Sequence, residues 1–396
     1  MSNRKTDTEQ IRAANRAEVI SALRVYGPVA RVDIGRITGL SPATVTAITS
    51  ELAEHNIIQE VQAPRESSGR GRPRVMIDLN PDKASVLGLK LSINELRLML
   101  GDLKGNIISE AVVAVRTLDQ DAESLNAVLL KEAEHFLAQH PGHQQLLVSA
   151  GIAIQGFVDA HQGNVVWSPA LSVKHINLTN HLQRHLGCPV ELANDANCIA
   201  YAVQMQQQYV ECRDFIVVML GYGVGGSLIM NGELYTGHLG AAAEFGHTKY
   251  SHDGPQCACG KRGCIEAYVS DYALYRDASA IMNLPATDRR HPSEKQMQKL
   301  TELARTGNEA ARELFAQSGR VLGYGIANML ALMSPERVVV TGPGVRAYDL
   351  LEDGVREGIR NALVNELSSG TAIEHLPWSE DMTGKGIIAL ALKHFG

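Results

Sequence analysis

Glu244-Phe245-Gly246-His247, followed after nine intervening residues by Cys257-Ala258-Cys259-Gly260-Lys261-Arg262-Gly263-Cys264-Ile265-Glu266, is the most specific stretch of this 396-residue chain. His247, Cys257, Cys259 and Cys264 have the spacing H-x9-C-x-C-x4-C. Three thiolates and one imidazole form a tetrahedral zinc set, and four protein ligands leave no open position, so the expected ion is structural. Gly260 and Gly263 lie inside the run, where a chain wrapping an ion needs tight turns. His252 is a rival for the histidine position. Glu244 stands three residues before His247 and Glu266 two after Cys264, so an ion would pin both carboxylates to one loop. Fixed carboxylates accept hydrogen bonds from vicinal hydroxyls, which suits a sugar. Two solvated surface acids are the plain alternative.

Outward from this loop, strands and helices alternate. Residues 85–91, 96–102, 107–115, 148–154, 215–220, 227–230 and 338–341 read as strands, and 122–139, 194–208, 308–332 and 386–394 as helices, an α/β pattern. The uncharged stretch 215–232 holds four glycines between 221 and 226 and reads as a buried hairpin rather than a membrane span. Residues 86–108 and 215–234 each read strand, turn, strand, turn. Two such hairpins opening two α/β lobes suggest a duplicated domain with a cleft between the copies.

The first 80 residues differ from the rest. They hold 11 Lys/Arg against 9 Asp/Glu, whereas the remainder holds 26 against 34. Three helices are expected at 11–26, 31–38 and 42–55, with Gly39-Leu40-Ser41 as a tight turn, Ser41 as N-cap and Pro42 at the first helical position. This is a helix-turn-helix layout whose third helix enters a major groove by its first residues. Ser41, Thr44 and Thr46 stand there, and Thr can bond base edges or touch a thymine methyl. Strands at 57–61 and 74–79 flank an Arg/Gly-rich loop that reads as a wing, with Arg70 and Arg72 suited to a narrow minor groove. The third helix has no Lys or Arg, so phosphate contacts fall to Arg31, Arg36 and the wing. A generic three-helix bundle with a solvated Arg linker is the competing reading.

Overall the chain has 37 basic and 43 acidic residues, net −6, which excludes a globally basic nucleic-acid coat. Six cysteines in this length do not make a disulfide scaffold. Cys188, Cys198 and Cys212 are expected to be small buried hydrophobes. No signal peptide opens the chain, so the expected location is the cytoplasm.

Taken together, these residues resemble the ROK family (repressors, open reading frames and sugar kinases) over nearly the whole chain. The match is carried by residues 244–247 and 257–266, by Asn194-Asp195-Ala196-Asn197, by the glycine run 221–226 and by Val338-Val339-Val340-Thr341-Gly342-Pro343-Gly344. The head, with its Gly-Arg-Gly-Arg-Pro wing, looks like the repressor branch, similar to regulators of glucose, N-acetylglucosamine and xylose genes. The resemblance implies a winged helix-turn-helix followed by a two-lobed actin-like ATPase (ribonuclease H-like) sugar-kinase fold. It divides the chain into a DNA-binding domain at 1–80, a first lobe at 81–190 plus 383–396, and a second lobe at 191–382 with the zinc loop. It implies sugar contacts from Gly156, Asn194, Asp195, Glu244, His247 and Glu266, and a palindromic DNA operator read by a homodimer or tetramer. In kinases of this family the acid at Asp195 is the base that deprotonates the accepting hydroxyl.

Departures from the family pattern separate enzyme from regulator. The kinases carry Asp-x-Gly-Gly-Thr in the first hairpin, where this chain has Gly88-Leu89-Lys90-Leu91-Ser92-Ile93-Asn94. Lys90 replaces the acid that helps place Mg-ATP, and Ser92 and Ile93 replace glycines that let phosphate approach the backbone. Phosphoryl transfer rests on positioning and charge neutralisation, so no kinase activity is expected. Ala170 stands where the kinases often have a sugar-contacting Asn. Three functions stay open: a sugar-released repressor of uptake or catabolic genes, a sugar kinase with an appended DNA head, and a regulator controlled by a protein partner. Like-charge repulsion at Asp195 favours a free hexose or N-acetylhexosamine over a sugar phosphate.

Overall fold

Two five-stranded sheets with the same wiring dominate the computed structural model of the chain. It describes residues 2–396 apart from 63–74, 239, 241, 280–291, 365–366, 368–369, 394 and 396, with side chains from residue 9 onward. The chain divides into two compact units, residues 1–211 with 383–396, and residues 212–382.

The first unit begins with the head: α1 (Ser2–Tyr26), β1 (Val29–Ala30), α2 (Arg31–Thr38), α3 (Pro42–Glu54), β2 (Ile58–Val61) and β3 (Met76–Leu79). Gly39 ends α2 in the left-handed region at φ 70°, and Ser41 caps α3 by accepting from the Thr44 N–H at 3.2 Å. Val19, Leu23, Ile34, Val45, Ile48 and Leu52 close the core between the three helices. The two-residue β1, which carries no periodicity to read, pairs Val29 with Ile77 and completes a sheet ordered β1-β3-β2. Arg70 and Arg72, the expected wing arginines, lie outside the described residues.

The body of this unit runs β4 (Ser85–Ser92), β5 (Glu95–Asp102), β6 (Ile107–Ala114), α4 (Ala122–Ala138), α5 (Pro141–Gln144), β7 (Leu147–Ile154), β8 (Phe157–Asp159), β9 (Asn164–Trp167), β10 (Ile176–Asn177), α6 (Thr179–Leu186), β11 (Val190–Asn194) and α7 (Asp195–Gln204). Its sheet is ordered β11-β7-β4-β5-β6, an antiparallel meander extended by two parallel strands. Residues 191–211, expected to open the second lobe, lie in the first unit. The reason is register: Val190–Asn194 pairs in parallel with Ala150–Ile154 of β7.

The second unit runs β12 (Phe215–Leu220), β13 (Val224–Met230), β14 (Glu233–Tyr235), α8 (Glu266–Val269), α9 (Asp271–Asp277), α10 (Glu294–Arg305), α11 (Glu309–Met333), β15 (Arg337–Thr341), α12 (Tyr348–Ala362) and β16 (Ala372–His375). Its sheet, β14-β13-β12-β15-β16, repeats the meander and the two parallel strands, so the duplication read from the two hairpins extends to topology. A Cβ at Gly319 or Gly323 of α11 would strike the backbone oxygen of Leu351 or Val355 of α12, so these helices meet backbone to backbone.

The chain ends in α13 (Met382–Ala391). Its Ile387 and Ile388 are fully buried and fill the space left by Gly88, Gly101 and Gly151 on one face of the first sheet. Each such side chain removed from water contributes about 1.5–3 kcal/mol. Among the described residues, no helix is long and apolar enough to cross a membrane.

Candidate functional site

The loop after β14 brings together the four residues singled out by spacing. Donor atoms of His247, Cys257, Cys259 and Cys264 all lie within 4.8 Å of one another. Cys257 Sγ is 3.7 Å from His247 Nδ1, and Cys259 Sγ is 3.8 Å from Cys264 Sγ. Tetrahedral zinc with bonds of about 2.3 Å sets neighbouring sulfurs about 3.8 Å apart, so the separations fit a closed four-ligand site. Gly260 (φ 84°) and Gly263 (φ 70°) make the turns, and a Cβ at Gly263 would strike the Ser251 carbonyl. His252 is outside the group. Burial pushes the Cys257 thiol well up; a backbone N–H at Cys259 pulls it back in part, and Glu266 adds to the rise. A thiolate there therefore needs a cation. Lys249, two residues after His247, donates from Nζ to Cys264 Sγ at 3.1 Å and to the Arg262 carbonyl at 2.6 Å.

Glu266, at the start of α8, is buried at 7% exposure. Its Oε2 accepts from the Val224 N–H, and its Oε1 from the Tyr272 hydroxyl and the Cys257 thiol, each at 3.2 Å. Tyr272 also accepts from the Ala258 N–H at 3.2 Å, bracing loop and carboxylate together. Neither Lys249 nor Tyr272 was singled out by sequence. Lys249 meets Cys264 through an isolated antiparallel bridge and Tyr272 comes from the next helix, and spacing reveals neither. Glu244 precedes a short 3₁₀ turn, Phe245–His247, and is half-buried. The glycines of residues 223–226 hold this turn close. A Cβ at Gly226 would meet Phe245 Cβ at 2.7 Å, and one at Gly223 would meet Glu266 Oε2 at 2.9 Å. Close packing against Phe245 and the Ala243 carbonyl therefore accounts for Gly226.

In the first unit, the expected contacts gather at the carboxyl ends of neighbouring parallel strands, where open α/β sheets bind ligands. Asn194 pairs with Ile154 in register, and Gly156 lies two residues beyond Ile154. Gly156 has φ 108°, and a Cβ there would strike the Trp167 carbonyl. Asn194 caps α7, accepting from the Asn197 N–H at 2.8 Å. Asp195 opens that helix and accepts from the Ala196 N–H at 2.9 Å. Desolvation pushes the Asp195 carboxyl above its ordinary range, while the Ala196 N–H, the Lys90 ammonium and the Gln155 side chain pull the other way. Lys90 shares a row of the sheet with Ala153 and Ala193, which explains its reach toward Asp195.

In the head, Ala43, Thr46, Ala47 and Ser50 form the exposed face of α3. Thr46 donates its hydroxyl to the Pro42 carbonyl at 2.8 Å, and Ser41 and Thr44 share a hydrogen bond at 2.8 Å. Arg31 is committed to Thr49 Oγ1 at 3.0 Å, while Arg36 is 81% exposed with Asp33 at 3.7 Å. The second unit also contains a cavity of about 670 Å³ beside Pro343, with Arg346, His375 and Trp378 in its wall.

The profile of the ROK family matches residues 86–393. The DNA-binding transcriptional repressor Mlc of Escherichia coli (strain K12) is 27% identical over 97% of this chain and 94% of its own length. The xylose repressor of Bacillus subtilis (strain 168) is 26% identical over 98% and 97%. A crystal structure described as a ROK family transcriptional regulator, homolog of the E. coli MLC protein, superposes with a TM-score of 0.80, 26% identity and 97% coverage of both chains.

Proposed function

The chain belongs to the ROK family, and from that premise we propose that it is a DNA-binding transcriptional repressor released from its operator by a small sugar. The observation that carries this reading is the head: a helix-turn-helix with a capped α3 precedes the ROK body, in a chain similar end to end to named repressors. Residues 1–80 act as the DNA-binding domain. Ser41, Thr44 and Thr46 would contact bases, and Arg31, Arg36, Arg70 and Arg72 would contact phosphates or the minor groove. A homodimer presents two heads to a palindromic operator. The protein works in the cytoplasm, where its DNA is.

The effector is a free hexose, N-acetylhexosamine or similar sugar. Gly156, Asn194, Asp195, Glu244, His247 and Glu266 are the residues that would contact its hydroxyls. Zinc is the metal that the His247, Cys257, Cys259 and Cys264 set suits, and its bonds would hold Glu244 and Glu266 in place. Lys90, Ser92 and Ile93 in the first hairpin support a body without phosphoryl transfer.

A sugar kinase with a DNA head is the second reading. It is favoured by Asp195, whose raised pKa suits a general base. One set of measurements decides between them: duplex selection from a randomised pool, thermal shift with free and phosphorylated sugars, and ATP consumption with each sugar. Selective duplex binding, stabilisation by a free sugar and no ATP turnover are expected. Turnover that disappears in Asp195→Asn would overturn the regulator reading, and stronger stabilisation by a sugar phosphate would overturn the effector class.

A further inference from the structure

The last turn of α1 joins the head to the first sheet, and it carries an enclosed guanidinium. Arg24 donates from Nε to the Leu103 carbonyl at 3.3 Å. The residue keeps some surface in water, but one of its terminal nitrogens is buried without a hydrogen-bond partner. Desolvation lowers its pKa to about 10, against the opposing pull of Tyr201 and Asp102 beside it. A buried cation with incomplete pairing is destabilising, so its few partners decide where α1 sits.

Those partners belong to elements that reach the proposed sugar contacts. Tyr201 is on α7, less than two turns after Asp195. Asp102 ends β5 and is held in place by Asn106, which donates from its backbone and side-chain nitrogens at 2.9 Å each. Leu23 of α1, Leu103, Cys198 of α7 and Ile388 of α13 share one apolar cluster. A Cβ at Gly386 of α13 would strike the Cys198 carbonyl, so α7 and α13 meet without slack. Two residues after Arg24, Tyr26 has beside it Glu211, the last residue of the unit before residue 212.

We propose that Arg24 is a positioning residue that couples ligand occupancy at the start of α7 to the seating of the DNA head. A shift of α7 moves Tyr201 against the guanidinium, and the guanidinium re-seats α1 together with α3. Coupling of this kind is a ratio of affinities, and it must be reciprocal between the two ligands. The inference rests on the sugar-and-DNA reading above.

The test compares the full-length wild type with Arg24→Met and Arg24→Lys. The first readout needs no ligand. Asp195→Asn changes amide hydrogen exchange at residues 23–27 several-fold in the wild-type background, and leaves it unchanged in Arg24→Met. The second readout is duplex affinity with and without saturating glucose, xylose or N-acetylglucosamine, using a duplex that the wild type selects from a random pool. Arg24→Met binds sugar and duplex separately within about twofold of wild type, at equal or higher melting temperature, but its sugar-induced loss of duplex affinity falls at least fivefold. Arg24→Lys, which keeps the charge but not the fork, falls between the two and serves alone if Arg24→Met does not fold. Full coupling in either variant, or identical exchange changes in both backgrounds, overturns the proposal. A wild type that binds neither sugar nor duplex overturns the functional reading instead, and the exchange readout still decides the role of Arg24.

Discussion

Asp195 shows how one side chain reports on the whole site. Its folded-state pKa is raised, chiefly by desolvation. Its contribution to stability is therefore fully present below the ordinary Asp pKa of about 4, and is lost as pH rises through the folded value. Asp195→Asn should accordingly raise the melting temperature at pH 7 by a few degrees, with the gain fading as pH falls below the ordinary Asp range. A melting curve recorded over that series checks it, and a gain independent of pH would rule out the buried charge as its source. Sequence alone identified Asp195 and Asn194 through their motif, and Lys90 through its departure from the kinase pattern. It could not show Lys90 as a charge acting on Asp195, because the two meet only through the register of three parallel strands. Gln155 was missed for the same reason.

At the scale of elements, the metal loop was legible because ligand spacing is written directly in sequence. Cys259→Ser should lower bound metal from one ion per chain to none, measured by elemental analysis. Lys249→Met should weaken metal affinity by about 10–100-fold, read by competition with a chelator, because it removes a hydrogen bond to a ligand sulfur. Unchanged affinity would make Lys249 a bystander. The α11–α12 pair was half legible. Residues 308–332 read as a helix, but Gly354 and Gly358 look like breakers inside α12. Their function is clearance: a Cβ at Gly358 would strike the Arg320 carbonyl of α11. Gly323→Ala should cost about 1–3 kcal/mol in urea unfolding, because a rigid backbone oxygen cannot yield as a side chain would. β11 went unread because five residues after Gly187 and Pro189 are too few for a period to emerge.

For the whole molecule, hairpin duplication announced two α/β bodies, and their sheets share one topology. The boundary expected at residue 191 lies instead at residue 212, because strand pairing rather than local pattern assigns β11. Ile388→Ala should destabilise by about 2–5 kcal/mol, since a fully buried side chain on the glycine-lined sheet face leaves a cavity. Denaturation followed in the first unit checks this; a loss below 1 kcal/mol, about the cost of an Ile→Val change, would mean the face collapses around the gap. The same helix has a temporal consequence. A ribosome delivers the three-helix head of this polypeptide early, yet Ile387, Ile388 and Leu392, which share a core with Val19, Ile20 and Leu23, emerge long afterwards. A copy that stops short of residue 387 thus lacks side chains that complete the core of its own first unit.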